Sequence, residues 1–167
     1  YVDHFADDAI KVFKKPDGTP AVEYSFSFEA DNGIVLSGHI DCLVEYAGAY
    51  YVMDQKTSGS TIGNQFFDQF DPDTQMSLYT MAGQIIYKQK VRGVIIDAAQ
   101  IAVGFSRFQR GFTFRDEAKL EEWYASAMYT IRKAREATQE NFFPMNTTAC
   151  GNYGGCEFRS ICSRSPE

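Results

Sequence analysis

Two closely spaced turns constrain this chain more than any other feature. Asp31-Asn32-Gly33 separates a run rich in aromatic and β-branched residues, Ala21 to Glu29, from a second such run, Ile34 to Tyr46. Ala47-Gly48-Ala49 separates that from a third, Tyr50 to Lys56, which ends at the Thr57 to Gly63 loop. Short runs of this kind broken by Asn, Asp and Gly fold back as hairpins, so three consecutive antiparallel strands are expected. The turns also set the register. A first hairpin folded about Asn32 puts Glu23 opposite Asp41, and a second folded near Gly48 brings Asp54 and Gln55 alongside Asp41. Side chains alternate along a strand, so Asp54 and Lys56 share a face while Gln55 points away.

The flanking segments extend this sheet into an α/β fold. Phe5, Ala9, Ile10 and Phe13 at helix-like spacing predict the end of a helix over residues 1 to 14, entering a turn from Lys14 to Pro20. Asp71 reads as an N-cap before Pro72, opening a helix that runs to about Lys90. Val91 to Phe105 returns to β-type residues, Phe108 to Phe114 closes another hairpin, and Asp116 to Asn141 reads as a long amphipathic helix. The expected order is αβββαββα around a central mixed sheet flanked by helices. A length of 167 residues suits one domain. Within it, residues 1–145 read as the core and 146–167 as a cysteine-rich tail packing on that core.

The formal net charge of −6 argues against a protein that coats nucleic acid by bulk electrostatics. Basic residues are nonetheless grouped as Lys88, Lys90 and Arg92, as Arg107, Arg110 and Arg115, and as Arg132, Lys133 and Arg135. Each group reads either as a solvated face or as a local phosphate contact. No apolar stretch approaches the roughly 18 residues of a membrane span, and no signal-peptide pattern is present. The chain therefore reads as soluble and intracellular.

Three carboxylates and an ammonium converging on one patch would be costly in an ordinary core, where close like charges repel and unpaired ions are disfavoured. A divalent cation resolves that conflict. Hard oxygen ligands suit magnesium or manganese, and such an ion neutralises a phosphate and lowers the pKa of water. Lys56 is suited to stabilising developing negative charge or orienting that water. Hydrolysis of a phosphodiester is the chemistry implied. Taken one at a time, the same residues are what half-buried strands carry on their polar side.

Gly38-His39-Ile40-Asp41 followed by Val52-Met53-Asp54-Gln55-Lys56-Thr57 resembles the paired motifs of the PD-(D/E)xK superfamily, in its RecB-like branch. Gln75-Met76-Ser77-Leu78-Tyr79 is similar to the Gln-x-x-x-Tyr motif of that branch, and its two named residues lie on one helix face. The resemblance implies a restriction-endonuclease-like fold. It also implies a metal-dependent DNA exonuclease acting on linear or single-stranded ends, in which Asp41, Asp54, the Gln55 backbone carbonyl and Glu23 serve the metal. Glu23, Asp41, Asp54 and Lys56 would then be catalytic, with Glu29 the rival of Glu23, and Gln75 and Tyr79 would position DNA. A place in a larger recombination or repair complex is a further implication. An endonuclease on the same fold, and a non-catalytic DNA-binding module with a structural cluster, are the alternatives.

The tail carries Cys150, Cys156 and Cys162 in a loop-like, Gly-rich stretch. Three cysteines so placed in a chain read as intracellular suggest metal rather than disulfides. The pattern resembles the carboxy-terminal cluster of iron–sulfur RecB-like nucleases of the AddB and CRISPR-adaptation kind, which implies a [4Fe–4S] cluster on these cysteines. Zinc is the rival metal. Cys150 stands further from Cys156 than the family pattern has it, and no cysteine near the amino terminus supplies the fourth ligand. Cys42, on a strand beside Asp41, reads as a buried structural thiol. His4 could take the place of a metal-proximal His on the family's first helix. His39 shares the Asp41 face if the strand is regular. Tyr46, Tyr50, Phe66, Phe67 and Phe70 are core residues or stacking surfaces for unpaired bases.

Overall fold

The computed structural model describes residues 1–163. They fall into two compact units, Tyr1–Ser126 and the remainder from Ala127.

The first unit is built on a six-stranded mixed sheet. Its strands are β1 (Lys11–Val12), β2 (Val22–Glu29), β3 (Val35–Tyr46), β4 (Ala49–Ser58), β5 (Val91–Ala102) and β6 (Phe105–Phe114). The order is β1-β3-β4-β5-β6, with β2 also paired to β3. β1 and β2 lie end to end along one edge of β3, pairing with Glu45 and Val44 and with the 35–42 stretch respectively. β4 and β5 are parallel, as a crossover through helices requires, and every other pair is antiparallel. The crossover contains α1 (Asn64–Asp68) and α2 (Thr74–Tyr87).

Alternation along the strands divides the apolar residues between two faces. Leu43, Val52, Val94 and Ile96 join Met76, Tyr79 and Ala82 of α2 in the larger core. Cys42, Val44, Tyr51, Met53 and Ile95 form a second cluster on the other face, with Ile10 and Tyr46 against it. Glycines mark the close approaches: a Cβ on Gly93 would stand 2.0 Å from the Thr113 carbonyl oxygen, which is backbone and cannot swing aside. A Cβ on Gly38 would stand 2.7 Å from the Phe26 ring, and one on Gly111 would stand 2.2 Å from the ring of Phe67, which lies in α1.

Several sequence expectations change at element ends. Residues 1 to 10 form turns rather than a helix, and the strand β1 follows directly. The apolar residues of this segment pack on the sheet instead of on a helical neighbour: Phe5 lies against Phe108 and Arg110, and Ile10 joins the second cluster. The cap of α2 is Asp73, whose carboxylate accepts from Met76 N at 2.9 Å, not Asp71. Asp71 is taken instead by Arg115 at 3.1 Å. The helix ends at Tyr87 because Lys88 is left-handed, with φ 51°. The long helix α3 (Glu117–Glu140) starts where Asp116 accepts from Lys119 N at 2.8 Å, as its sequence predicts.

The second unit contains the end of α3, single turns at Thr147–Ala149 and Asn152–Gly154, and the four-residue α4 (Arg159–Cys162). Among the described residues no helix is long and apolar enough to cross a membrane.

Candidate active site

The hairpin register matches the expectation from the turns. Val22 pairs with Cys42 and Tyr24 with Ile40, so Glu23 and Asp41 fall opposite each other; on the next strand Cys42 pairs with Met53, which sets Asp41 beside Asp54. Regular pairing stops at this point. Glu23 has φ 49°, a left-handed conformation unusual for a residue other than Gly, Asn or Asp. Ile40 and Leu43 both belong to the core on the α2 face, although a regular strand would turn them to opposite faces. The strand irregularity therefore lies between Ile40 and Leu43, at Asp41 itself.

Beyond the Cys42–Met53 pair, β3 and β4 no longer pair backbone to backbone. The Asp41 carboxylate fills the gap, accepting a hydrogen bond from Gln55 N at 2.8 Å. Asp54, two residues on from the core residue Val52, faces α2 and is 3% exposed. The Lys56 ammonium pairs with its Oδ2 at 2.5 Å. Burial raises the Asp54 pKa, Lys56 opposes the rise, and the Asp41 charge adds to it.

From α2, Gln75 Oε1 accepts from Lys56 Nζ at 3.1 Å, and Gln75 Nε2 donates to the Tyr79 hydroxyl at 3.1 Å. Tyr79 is buried against the core, and its pKa is raised by burial and then by the charges of Asp54 and Asp41. Asp41, Asp54, Lys56, Gln75 and Tyr79 thus form one connected group.

Glu23 is turned elsewhere. Its exposed carboxylate bonds His39 Nε2 at 2.7 Å, while His39 Nδ1 meets Ser25 Oγ at 2.9 Å. The ring bonds of His39 thus run to Glu23 and Ser25. His4 packs edge-on against Phe5 at 4.6 Å and lies 5.5 Å from the Phe108 ring, with no contact to either aspartate. Phe70 is buried and Tyr50, Phe66 and Phe67 pack against the same core.

The donor set fits a hard, hydrated cation. Among the described residues no three of His, Cys, Asp and Glu gather closely enough to hold a metal by themselves. Two carboxylates and a main-chain carbonyl suit magnesium or manganese, which keep several waters and need only one or two protein carboxylates.

The tail gives a different result. Cys150, Cys156 and Cys162 are free thiols linked only through the local backbone, Cys156 N donating to Cys150 O at 3.2 Å and Arg159 N to Cys156 O at 3.1 Å. The described residues do not gather them into a ligand set, and the expected [4Fe–4S] or zinc centre is not supported. Cys42 is the buried structural thiol expected, its pKa pushed up to about 12 mainly by burial and next by Asp41.

Sequence reasoning missed two features. The basic group Arg107, Arg110 and Arg115 is not one surface. Arg115 is buried, bonding Ser77, Thr113 and the Phe70 carbonyl, and Arg110 pairs with the buried Asp97 at 3.0 Å. Lys56 being held by Gln75 was also unforeseen, since no local pattern joins a strand end to a helix nineteen residues on.

A mixed sheet flanked by helices thus carries an acidic pair and a lysine where two strands separate. Residues 3–163 match the PD-(D/E)XK nuclease superfamily, and the chain belongs to it. Among curated proteins, the Gene 69 protein of Mycobacterium phage D29 is 39% identical over 77 residues, covering 46% of this chain and 25% of that protein. The solved structure of SSO0001 has 16% identity and a TM-score of 0.40, covering 96% of this chain and 64% of that one. This chain therefore spans about a quarter of the phage protein and under two thirds of the SSO0001 chain.

Proposed function

We propose that this protein is a divalent-metal-dependent deoxyribonuclease that hydrolyses phosphodiester bonds at free or single-stranded DNA ends. The observation that carries the reading is the Asp54 carboxylate, 3% exposed, paired with Lys56 at 2.5 Å and close enough to Asp41 for that second charge to raise its pKa. A carboxylate that served only the fold would be expected to be matched by donors and not set beside a second carboxylate.

Asp41, Asp54 and the Gln55 carbonyl would hold magnesium or manganese, and Glu23 would assist directly or through water after leaving His39. Bound there, the ion supplies charge neutralisation at a phosphate and a more acidic water. Asp41 keeps its orientation through the Gln55 N–H. Lys56 carries three donors, of which Asp54 and Gln75 occupy two, so one remains for a phosphate oxygen or the attacking water. The iron–sulfur reading of Cys150, Cys156 and Cys162 stands apart from this activity. Iron, sulfide and zinc analysis of anaerobically purified protein decides it.

The function is tested by degradation of end-labelled linear and closed circular DNA with magnesium or manganese, comparing wild type with Lys56→Ala. Loss of linear DNA alone, reduced about 100-fold or more in the variant, is expected. Cleavage of circles would favour an endonuclease, and absence of cleavage would leave a DNA-binding module.

A further inference from the structure

We infer that Gln75 and Tyr79 are positioning residues for the Lys56 ammonium, a role different from contacting DNA. The inference rests on the nuclease reading above and assigns these residues a task within that site.

A lysine head on a four-carbon stem is poorly placed by its own backbone, and holding it in one position costs side-chain entropy. Here two acceptors hold it from different elements, Asp54 Oδ2 on its own strand and Gln75 Oε1 on α2. The polarity of this chain is forced. An ammonium only donates, so the Gln75 amide must turn its oxygen to Lys56, and that directs Nε2 to the Tyr79 oxygen. The residues are four apart on α2 and so share a face.

Rigidity increases along the series. Gln75 is exposed, but Tyr79 is only 8% exposed and sets its ring edge-on to Phe26 at 6.3 Å. The first turn of α2 is closed by Asp73. The core thus fixes Tyr79, Tyr79 fixes the Gln75 amide, and the amide fixes the ammonium. Both ends of that amide are already engaged within the protein. A DNA contact by Gln75 would have to compete with the Lys56 bond.

The test separates catalysis from binding. Rates of DNA cleavage are measured in magnesium, and affinity for a labelled single-stranded oligonucleotide is measured in calcium, for wild type, Gln75→Ala, Gln75→Glu and Tyr79→Phe. Gln75→Ala is expected to lower kcat about 10- to 100-fold, the scale of a misplaced catalytic group. KM and affinity should stay within about twofold of wild type, as for a loss confined to the transition state. Gln75→Glu keeps an acceptor for Lys56 and should recover much of the rate, and Tyr79→Phe should show a smaller fall of the same kind. Added to Lys56→Ala, Gln75→Ala should cost nothing further.

A second readout does not depend on cleavage. Lys56 acylation by an amine reagent, followed by mass spectrometry, should be several-fold faster in Gln75→Ala than in wild type. Weakened DNA affinity with unchanged kcat, additive losses with Lys56→Ala, or equal acylation rates would overturn the inference. Wild type that acylates as expected but cleaves no DNA would instead overturn the nuclease reading and leave the positioning of Lys56 by Gln75 intact.

Discussion

Asp54 and Asp97 make an instructive pair. They lie on neighbouring strands of one sheet, Asp54 on the α2 face and Asp97 on the other, and both are 3% exposed. Asp97 is fully served. Arg110 donates to it at 3.0 Å, the Tyr1 hydroxyl donates to its other oxygen, and the same guanidinium is held by Asp8 at 2.6 Å and lies 3.7 Å over the Phe5 ring. Asp54 has one lysine, at 2.5 Å, and a second carboxylate whose charge raises its pKa. Equal burial therefore does not mean equal purpose. A carboxylate that serves only the fold is matched by fixed donors, whereas one set beside a second carboxylate has capacity for a cation.

The comparison is sharpened most by removing the Asp97 partner. Arg110→Met should destabilise the protein by about 3–5 kcal/mol, because it leaves a buried charge uncompensated, and adding Asp97→Leu should recover much of that loss. Chemical denaturation measures both. If Arg110→Met is neutral, the distinction between the two carboxylates is lost.

A smaller effect is expected from metal. Magnesium or manganese at a hundredfold excess over its dissociation constant should stabilise wild type by about 2.7 kcal/mol, read as a thermal shift. Asp54→Asn should abolish that shift, and Arg110→Met should keep it.

The smallest effect should come from Asp54→Asn without metal, which is expected to inactivate the enzyme yet stabilise it by about 1 kcal/mol, the scale seen when a functional group held at a cost to the fold is removed. The sign follows from the raised pKa of Asp54. The folded protein binds this proton more tightly than the unfolded chain, so the penalty of the charge is complete above the folded pKa. It disappears as the pH falls below the unfolded carboxyl value. The stabilisation by Asp54→Asn should accordingly fade in acid, and a gain that persisted there would assign it to packing.

Much of the fold and part of the site were legible because they depend on local chemistry. The turns at Asn32 and Gly48 set the strand register, so Glu23, Asp41 and Asp54 could be aligned by counting. Asp116 could be read as the start of α3 for the same reason. The first ten residues were misread because a helix-like spacing of Phe5, Ala9 and Ile10 does not reveal that the sheet offers these side chains a better surface. Asp71 was mistaken for the cap because Asp73 and Asp71 are equally good acceptors by composition. Arg115, buried beside Asp71, accounts for the different use of the two.

By itself the sequence determined the order of most elements, the hairpin register and the residue types of an acidic, lysine-bearing site. These follow from turn chemistry, strand alternation and spacing, all of which act over a few residues. Only the tertiary structure decided that the pairing of β3 and β4 breaks at Asp41, that Glu23 turns to His39, that Asp54 is buried beside a second carboxylate while Asp97 is matched by Arg110 and Tyr1, and that Gln75 reaches Lys56. Those outcomes depend on which surfaces meet across the fold, and burial and distance between remote segments are not written in local pattern.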